Sequence, residues 1–183
     1  MNTKRKNNIC IGHELEKMSE LLEMLVNSGV IKRGEFILSS GKKSGIYIDI
    51  KQAVTDPVIL EKIAGEMVKK LESIDFDRIA CIELGGVPIA VALSLKTSKP
   101  LVIFRKARKD YGAQEDRIGR IEDGDRVVVV EDVITTGKSA AGVVERVEKS
   151  GGMVVAVIAV VDREESNLNP ISLLKLSEIL EKS

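Results

Sequence analysis

The run Val127-Val128-Val129-Val130 constrains the architecture of this chain more than any other segment. Consecutive β-branched residues favour an extended strand, and side chains along a strand alternate between its two faces. All four valines are buried only if both faces are covered, as at the centre of a parallel sheet flanked by helices. The run stops at two carboxylates, Glu131 and Asp132, and continues as Val133-Ile134-Thr135-Thr136-Gly137-Lys138-Ser139 before a helical pattern from Ala140 to Ser150. A helix start leaves backbone N–H groups unpaired, and together with the Thr and Ser hydroxyls these form a cradle for phosphate. The acids cannot serve that phosphate, because like charges repel. They suit the hydroxyl groups of a sugar that carries it, or a positive charge developing beside it. Acids, hydroxyls and phosphate nest in this order point to a phosphorylated ribose.

Two other readings compete. Gly137-Lys138-Ser139 also ends a nucleotide-binding P-loop, but that loop needs a glycine five residues before Gly137, where Asp132 stands. An ordinary strand-to-helix turn with a Thr or Ser cap is the plain alternative. It leaves the Glu-Asp pair at the end of a buried strand unexplained.

Strand and helix patterns alternate through the rest of the chain. Strands are expected at Arg78–Glu83, Leu101–Arg105, Val127–Val130 and Val154–Val161, and helices at Val87–Leu95 and Ala140–Ser150. Upstream, Glu14–Asn27 has helical spacing and Gly29 as a stop. Glu35–Leu38 and Ile46–Ile50 read as a hairpin, and Asp56-Pro57 opens a helix reaching about Glu72. Ile171–Glu181 reads as a closing amphipathic helix. This order predicts one α/β domain over residues 1–183, a doubly wound, mainly parallel sheet with the N-terminal hairpin as a small hood. Residues 1–12 are expected to be a flexible tail, with Lys4-Arg5-Lys6 solvated rather than bound to nucleic acid. Lys106 to Gly124 has no period and is densely charged, which predicts a flexible loop acting as a lid over an anion.

Composition narrows the function classes. Acidic and basic residues balance at 28 each, so no overall field draws the chain to nucleic acid or an anionic membrane. Cys10, Cys81 and the single His13 have no metal-ligand spacing, and no apolar leader or span is evident. A soluble cytoplasmic protein without structural zinc is expected.

Ligands of such sheets bind at the carboxyl ends of the strands, and the unusual residues gather there. Ile82-Glu83-Leu84-Gly85-Gly86-Val87-Pro88 is a tight turn whose glycines let backbone N–H groups approach an anion. Arg105, Lys106 and Lys109 add cationic charge, and Arg163, following Asp162, offers a planar fork for a carboxylate. From Phe36 to Arg163 these parts, in this order, resemble the orotate phosphoribosyltransferases. Phe36 to Asp49 is similar to the family's hairpin, Arg105 to Gly112 to the start of its catalytic loop, Glu131 to Ser139 to its ribose-phosphate signature, and Asp162-Arg163 to the place of its orotate-gripping arginine.

The resemblance implies magnesium-dependent transfer of ribose 5-phosphate from phosphoribosyl pyrophosphate (PRPP) to orotate, in pyrimidine biosynthesis. It implies that Thr135, Thr136, Gly137, Lys138 and Ser139 hold the 5′-phosphate, with Val133 and Ile134 also in the PRPP-binding stretch. Glu131 and Asp132 would bind the ribose hydroxyls, Asp132 nearer the reacting carbon, and Leu84-Gly85 would touch the diphosphate through the main chain. Arg105, Lys106, Lys109 and Tyr111 would close over it, with Lys109 as the leaving-group cation. Arg163, Thr135 and the Tyr47-Ile48 backbone would recognise orotate. Magnesium would arrive on the diphosphate, with no dedicated protein cage, and the loop would serve a neighbouring subunit of a homodimer. Three positions depart from the family pattern: Tyr111 replaces a common histidine, Ser39 a lysine for which Lys42 or Lys43 could compensate, and Lys138 a small residue. A transferase for another base is disfavoured because a neutral purine gives Arg163 no carboxylate. A non-catalytic PRPP sensor is disfavoured because Lys109 is kept and only one helix precedes Gly34.

Overall fold

The computed structural model describes residues 20–37, 41–106 and 116–182. A helix described from 20 to 27 (α1) precedes an antiparallel hairpin of β1 (Ile31–Ile37) and β2 (Lys43–Ile48). Helices α2 (Ile50–Ala53) and α3 (Pro57–Lys70) lead into the main sheet. The Asp56 carboxylate caps α3 by accepting from the Val58 N–H at 2.8 Å. There follow β3 (Arg78–Ile82), α4 (Val87–Thr97), β4 (Leu101–Phe104), β5 (Arg117–Ile118), β6 (Arg126–Ile134), α5 (Lys138–Glu148), β7 (Met153–Asp162), β8 (Ile171–Lys175) and α6 (Leu176–Lys182). The sheet order is β5-β4-β3-β6-β7-β8, parallel throughout except for β5 against β4.

The valine run behaves as its chemistry requires. All four residues are fully buried, but in two different cores. Val128 and Val130 pack with Ile63 and Met67 of α3 and Ile89 and Leu93 of α4, whereas Val127 and Val129 pack with Val143 and Val147 of α5 and with Phe104. Alternation along β6 therefore places one helical layer on each face of the sheet.

Several boundaries differ from the sequence reading. β6 continues through the two acids to Ile134, because β7 keeps pairing with it: Glu131 lies opposite Ala159 and Ile134 opposite Asp162. The expected closing helix divides into β8 and α6. Ser172 and Leu174 join the sheet beside Ala159 and Val161, so edge pairing overrides the helical spacing at the start of that segment. The hairpin strands begin earlier in the chain than expected, and α2 and β5 were not anticipated. Residues 1–19, where the tail and the start of the first helix were expected, lie outside the described residues, as do 107–115 of the expected lid. Among the described residues no helix is long and apolar enough to cross a membrane.

Candidate active site

The carboxyl end of β6 and the start of α5 enclose a cleft of about 700 Å³ lined by Glu131, Val133, Ile134, Thr135, Thr136, Gly137, Lys138 and Ser139. Gly137 precedes the helix at φ 75°, where a Cβ would also lie 2.7 Å from Leu168 Cδ1, so both conformation and space call for glycine. The first intrahelical bond runs from the Ala141 N–H to the Gly137 carbonyl at 2.8 Å. The N–H groups of Lys138, Ser139 and Ala140 thus precede the helical ladder and remain for an anion in the cleft they line. Lys138 is exposed at the first helical position, on the rim of this cleft.

A second hollow of about 530 Å³ adjoins the first, sharing Ile82, Lys106, Glu131 and Ser139. Its other walls are Lys51, Glu83, Leu84, Gly85 and Asp132. The turn after β3 presses on the acids: a Cβ on Gly85 would fall 2.2 Å from Asp132 Oδ2, and one on Gly86 2.8 Å from the Val130 carbonyl. The paired glycines thus let this turn approach β6 closely enough for one ligand to touch both. The Lys106 N–H donates to Glu83 Oε1 at 2.9 Å, holding the end of β4 over the same hollow.

The two acids are electrostatically unusual. Glu131 is 5% exposed and its Oε1 has no hydrogen-bond partner. Burial, then the charge of Asp132, pushes its carboxyl up to about 8, against the opposing pull of a hydrogen bond with Ser139. Burial also raises Asp132, while backbone hydrogen bonds and the Lys51 charge pull it down. A protonated carboxyl both donates and accepts, which suits it to a sugar hydroxyl.

On the hood side, β2 carries Tyr47, whose ring centroid is 5.5 Å from that of Phe36, and the buried Ile48. Arg163 is 5% exposed and its N–H donates to the Ile134 carbonyl at 2.9 Å, next to Thr135. Its Nη2 donates to Ser44 Oγ at 2.9 Å. Arg105 is placed differently from the other cations. It lines a neighbouring hollow of about 960 Å³ with Arg117 and Arg146, and its buried Nε has no hydrogen-bond partner. Lys109, Tyr111 and Ser39 lie outside the described residues. Lys42, one of the two lysines considered as a substitute at Ser39, is paired with Glu165 at 2.6 Å.

The structure therefore gathers Glu131 and Thr135 to Ser139 in one cleft, sets Asp132, Leu84, Gly85 and Lys106 beside it, and attaches Arg163 to the hairpin. Sequence reasoning passed over Lys51, Ser44, Glu165 and Arg146. Lys51 and Ser44 carried no signal beyond their residue type, whereas Glu165 stands two residues beyond the arginine already singled out. Among the described residues no group of three or more His, Cys, Asp or Glu could hold a metal ion.

Residues 51–179 match the family model for the phosphoribosyl transferase domain. The chain is 61% identical over 161 residues to an orotate phosphoribosyltransferase of Archaeoglobus fulgidus, covering 88% of this chain and 90% of that protein. Its fold matches the crystal structure of orotate phosphoribosyltransferase from Aeropyrum pernix with a TM-score of 0.78 at 32% identity, covering 88% of this chain and 97% of the other. It also matches the Mycobacterium tuberculosis orotate phosphoribosyltransferase in complex with PRPP, with a TM-score of 0.71 at 28% identity over 89% and 98% of the two chains.

Proposed function

This chain belongs to the orotate phosphoribosyltransferase family, enzymes that transfer ribose 5-phosphate from PRPP to orotate, and we propose that the clefts at the end of its sheet divide that transfer as follows. The N–H groups at the start of α5, with the hydroxyls of Thr135, Thr136 and Ser139, hold the 5′-phosphate, and the exposed Lys138 adds charge at the rim. Glu131 and Asp132 bind the ribose hydroxyls from the strand below. As the bond to diphosphate lengthens, C1 of the ribose becomes cation-like, and Asp132, the acid nearer that carbon, faces it. The backbone of Leu84-Gly85 and the side chain of Lys106 face the departing diphosphate.

Lys109, with Arg105 and Tyr111, completes the cover over that leaving group and excludes water. The loop that carries them serves the neighbouring subunit of a homodimer, a reading supported by Arg105, which lines a hollow other than its own chain's ribose-phosphate cleft. Orotate stacks under the hood, its ring edge against the Tyr47-Ile48 backbone and Thr135, its carboxylate on Arg163. Magnesium bound to the diphosphate would supply Lewis-acid neutralisation of the charge on the leaving group, next to the hollow lined by Leu84, Gly85, Lys106 and Asp132. The residues present fit an ion held by the substrate rather than by a protein cage: no carboxylate cluster among the described residues would hold it alone, and Asp132, beside the unpartnered Glu131 Oε1, would reach it only through water or the sugar. The setting we infer is the cytoplasm.

The single observation that carries this reading is the joining of the phosphate cleft and the Gly85 hollow across Glu131 and Ser139. Adding PRPP and magnesium to the protein with orotate should consume orotate absorbance, and Lys109→Ala should slow turnover by about a hundredfold or more while leaving the fold intact. Absence of any orotate loss in the wild-type protein would refute the assignment.

A further inference from the structure

We propose that Lys42 and Glu165 are positioning residues that keep the Arg163 guanidinium aimed yet uncommitted, and so make the base site selective for a ring bearing one carboxylate; this rests on the functional reading above. The basis is a chain of contacts that crosses from the hairpin to the segment after β7. Arg163 is nearly fully buried, so its charge depends on protein partners rather than water. Ser44 Oγ accepts from Nη2 at 2.9 Å, and Glu165 Oε1 lies 3.5 Å from Nε. Nε forms no hydrogen bond at that separation and is left without a hydrogen-bond partner. The other oxygen of Glu165 accepts from Lys42 Nζ at 2.6 Å.

The inequality of those two distances is the argument. Glu165 is shared between two cations, and it leans toward the exposed lysine rather than the buried arginine. A carboxylate that closed fully on Arg163 would form the bidentate pair that the base's own carboxylate needs. Lys42 prevents this by holding Glu165 back, while Ser44 and Glu165 together fix the plane of the guanidinium. The Lys42 ammonium also holds the Glu165 carboxyl below the ordinary range, so it is ionised at neutral pH. Two cations and one anion leave one positive charge, which one ligand carboxylate neutralises. A base without a carboxylate leaves that buried charge uncompensated.

Steady-state kinetics of the whole enzyme test this with orotate, with PRPP, and with uracil, which is orotate without the carboxylate. Glu165→Gln keeps the shape and removes the charge. It should raise KM for orotate about tenfold, leave kcat and KM for PRPP within about twofold, and narrow the preference for orotate over uracil by a similar factor. Lys42→Ala, a change at an exposed side chain, should raise KM for orotate about threefold as Glu165 moves onto Arg163, and Lys42→Arg should restore it. In an Arg163→Ala background, Glu165→Gln should have no further effect on KM for orotate. An unchanged KM for orotate overturns the inference, as does a lowered one, the sign expected if Glu165 only opposed an incoming carboxylate. Equal losses for both substrates also overturn it, since they mark a general structural role. A wild-type protein that ignores orotate refutes the functional reading itself, a result distinct from these.

Discussion

Glu131 shows how one residue can carry a measurable signature of the site. Its carboxyl titrates near 8 in the folded, ligand-free chain against an ordinary value of 4.5. Between those values the native state holds a proton that the unfolded chain has released, so stability falls as pH rises through that window. The contribution is intact below 4.5 and gone above about 8. Glu131→Gln keeps the shape but cannot ionise, so its melting temperature should match wild type at pH 5 and exceed it at pH 9. The gain should be about 4 kcal/mol, or about 12 °C for a chain of this size. Thermal melts of the ligand-free proteins across that range decide it, and a difference that does not grow with pH would show that the residue carries no extra proton. The sequence announced Glu131 and Asp132 as a pair but could not rank their environments. That ranking depends on Gly85, which is far away in sequence and packs against Asp132, and on the orphaned Oε1 of Glu131.

Among the elements, α5 does two jobs. Its start is the proposed phosphate cradle, and near its end Arg146 binds the base of the charged segment between β4 and β5. Arg146 Nε donates to Asp116 Oδ2 at 3.0 Å and Nη1 to the Arg105 carbonyl at 2.9 Å, with the guanidinium 4.4 Å from the Phe104 ring centroid. The Arg105 N–H in turn donates to the Asp116 carbonyl at 2.9 Å, closing the neck. Arg146→Ala leaves several half-buried acceptors without a donor and should lower unfolding stability by about 2 kcal/mol. Urea denaturation would show this as an earlier midpoint, and an unmoved midpoint would mean the neck holds without its arginine. Elements with a strong local pattern were legible in advance: the valine strand, the capped helix after Asp56 and the turn into α5. Those that depend on a partner strand were not. The extension of β6 and the formation of β8 both follow from pairing with β7, which no local periodicity encodes.

For the molecule as a whole, the proposed exchange of loops between subunits makes activity a property of the pair. Mixing Lys109→Ala and Asp132→Ala proteins, unfolding and refolding them together, should restore about a quarter of wild-type activity, because half the dimers then hold one intact site. Size-exclusion chromatography would show the dimer, and a mixture that stays inactive would argue for sites complete within one chain. At this scale the α/β class and the gathering of the site at one end of the sheet were readable from the alternation of strands and helices. The contacts between the hood and the sheet were not, since Ser44 and Arg163 are 119 residues apart.

That separation has a consequence for how such an enzyme can change. In the proposed site the sugar-phosphate half is written in one unbroken stretch, Glu131 to Ser139, whereas the base half is assembled from the hairpin and the segment after β7. On that proposal, substitutions at Lys42, Ser44 or Glu165 would alter which acceptor is welcomed without disturbing the grip on the donor. The architecture thus separates what is inherited from what is negotiable: a fixed cassette for the activated sugar, and an adjustable lock for whatever receives it.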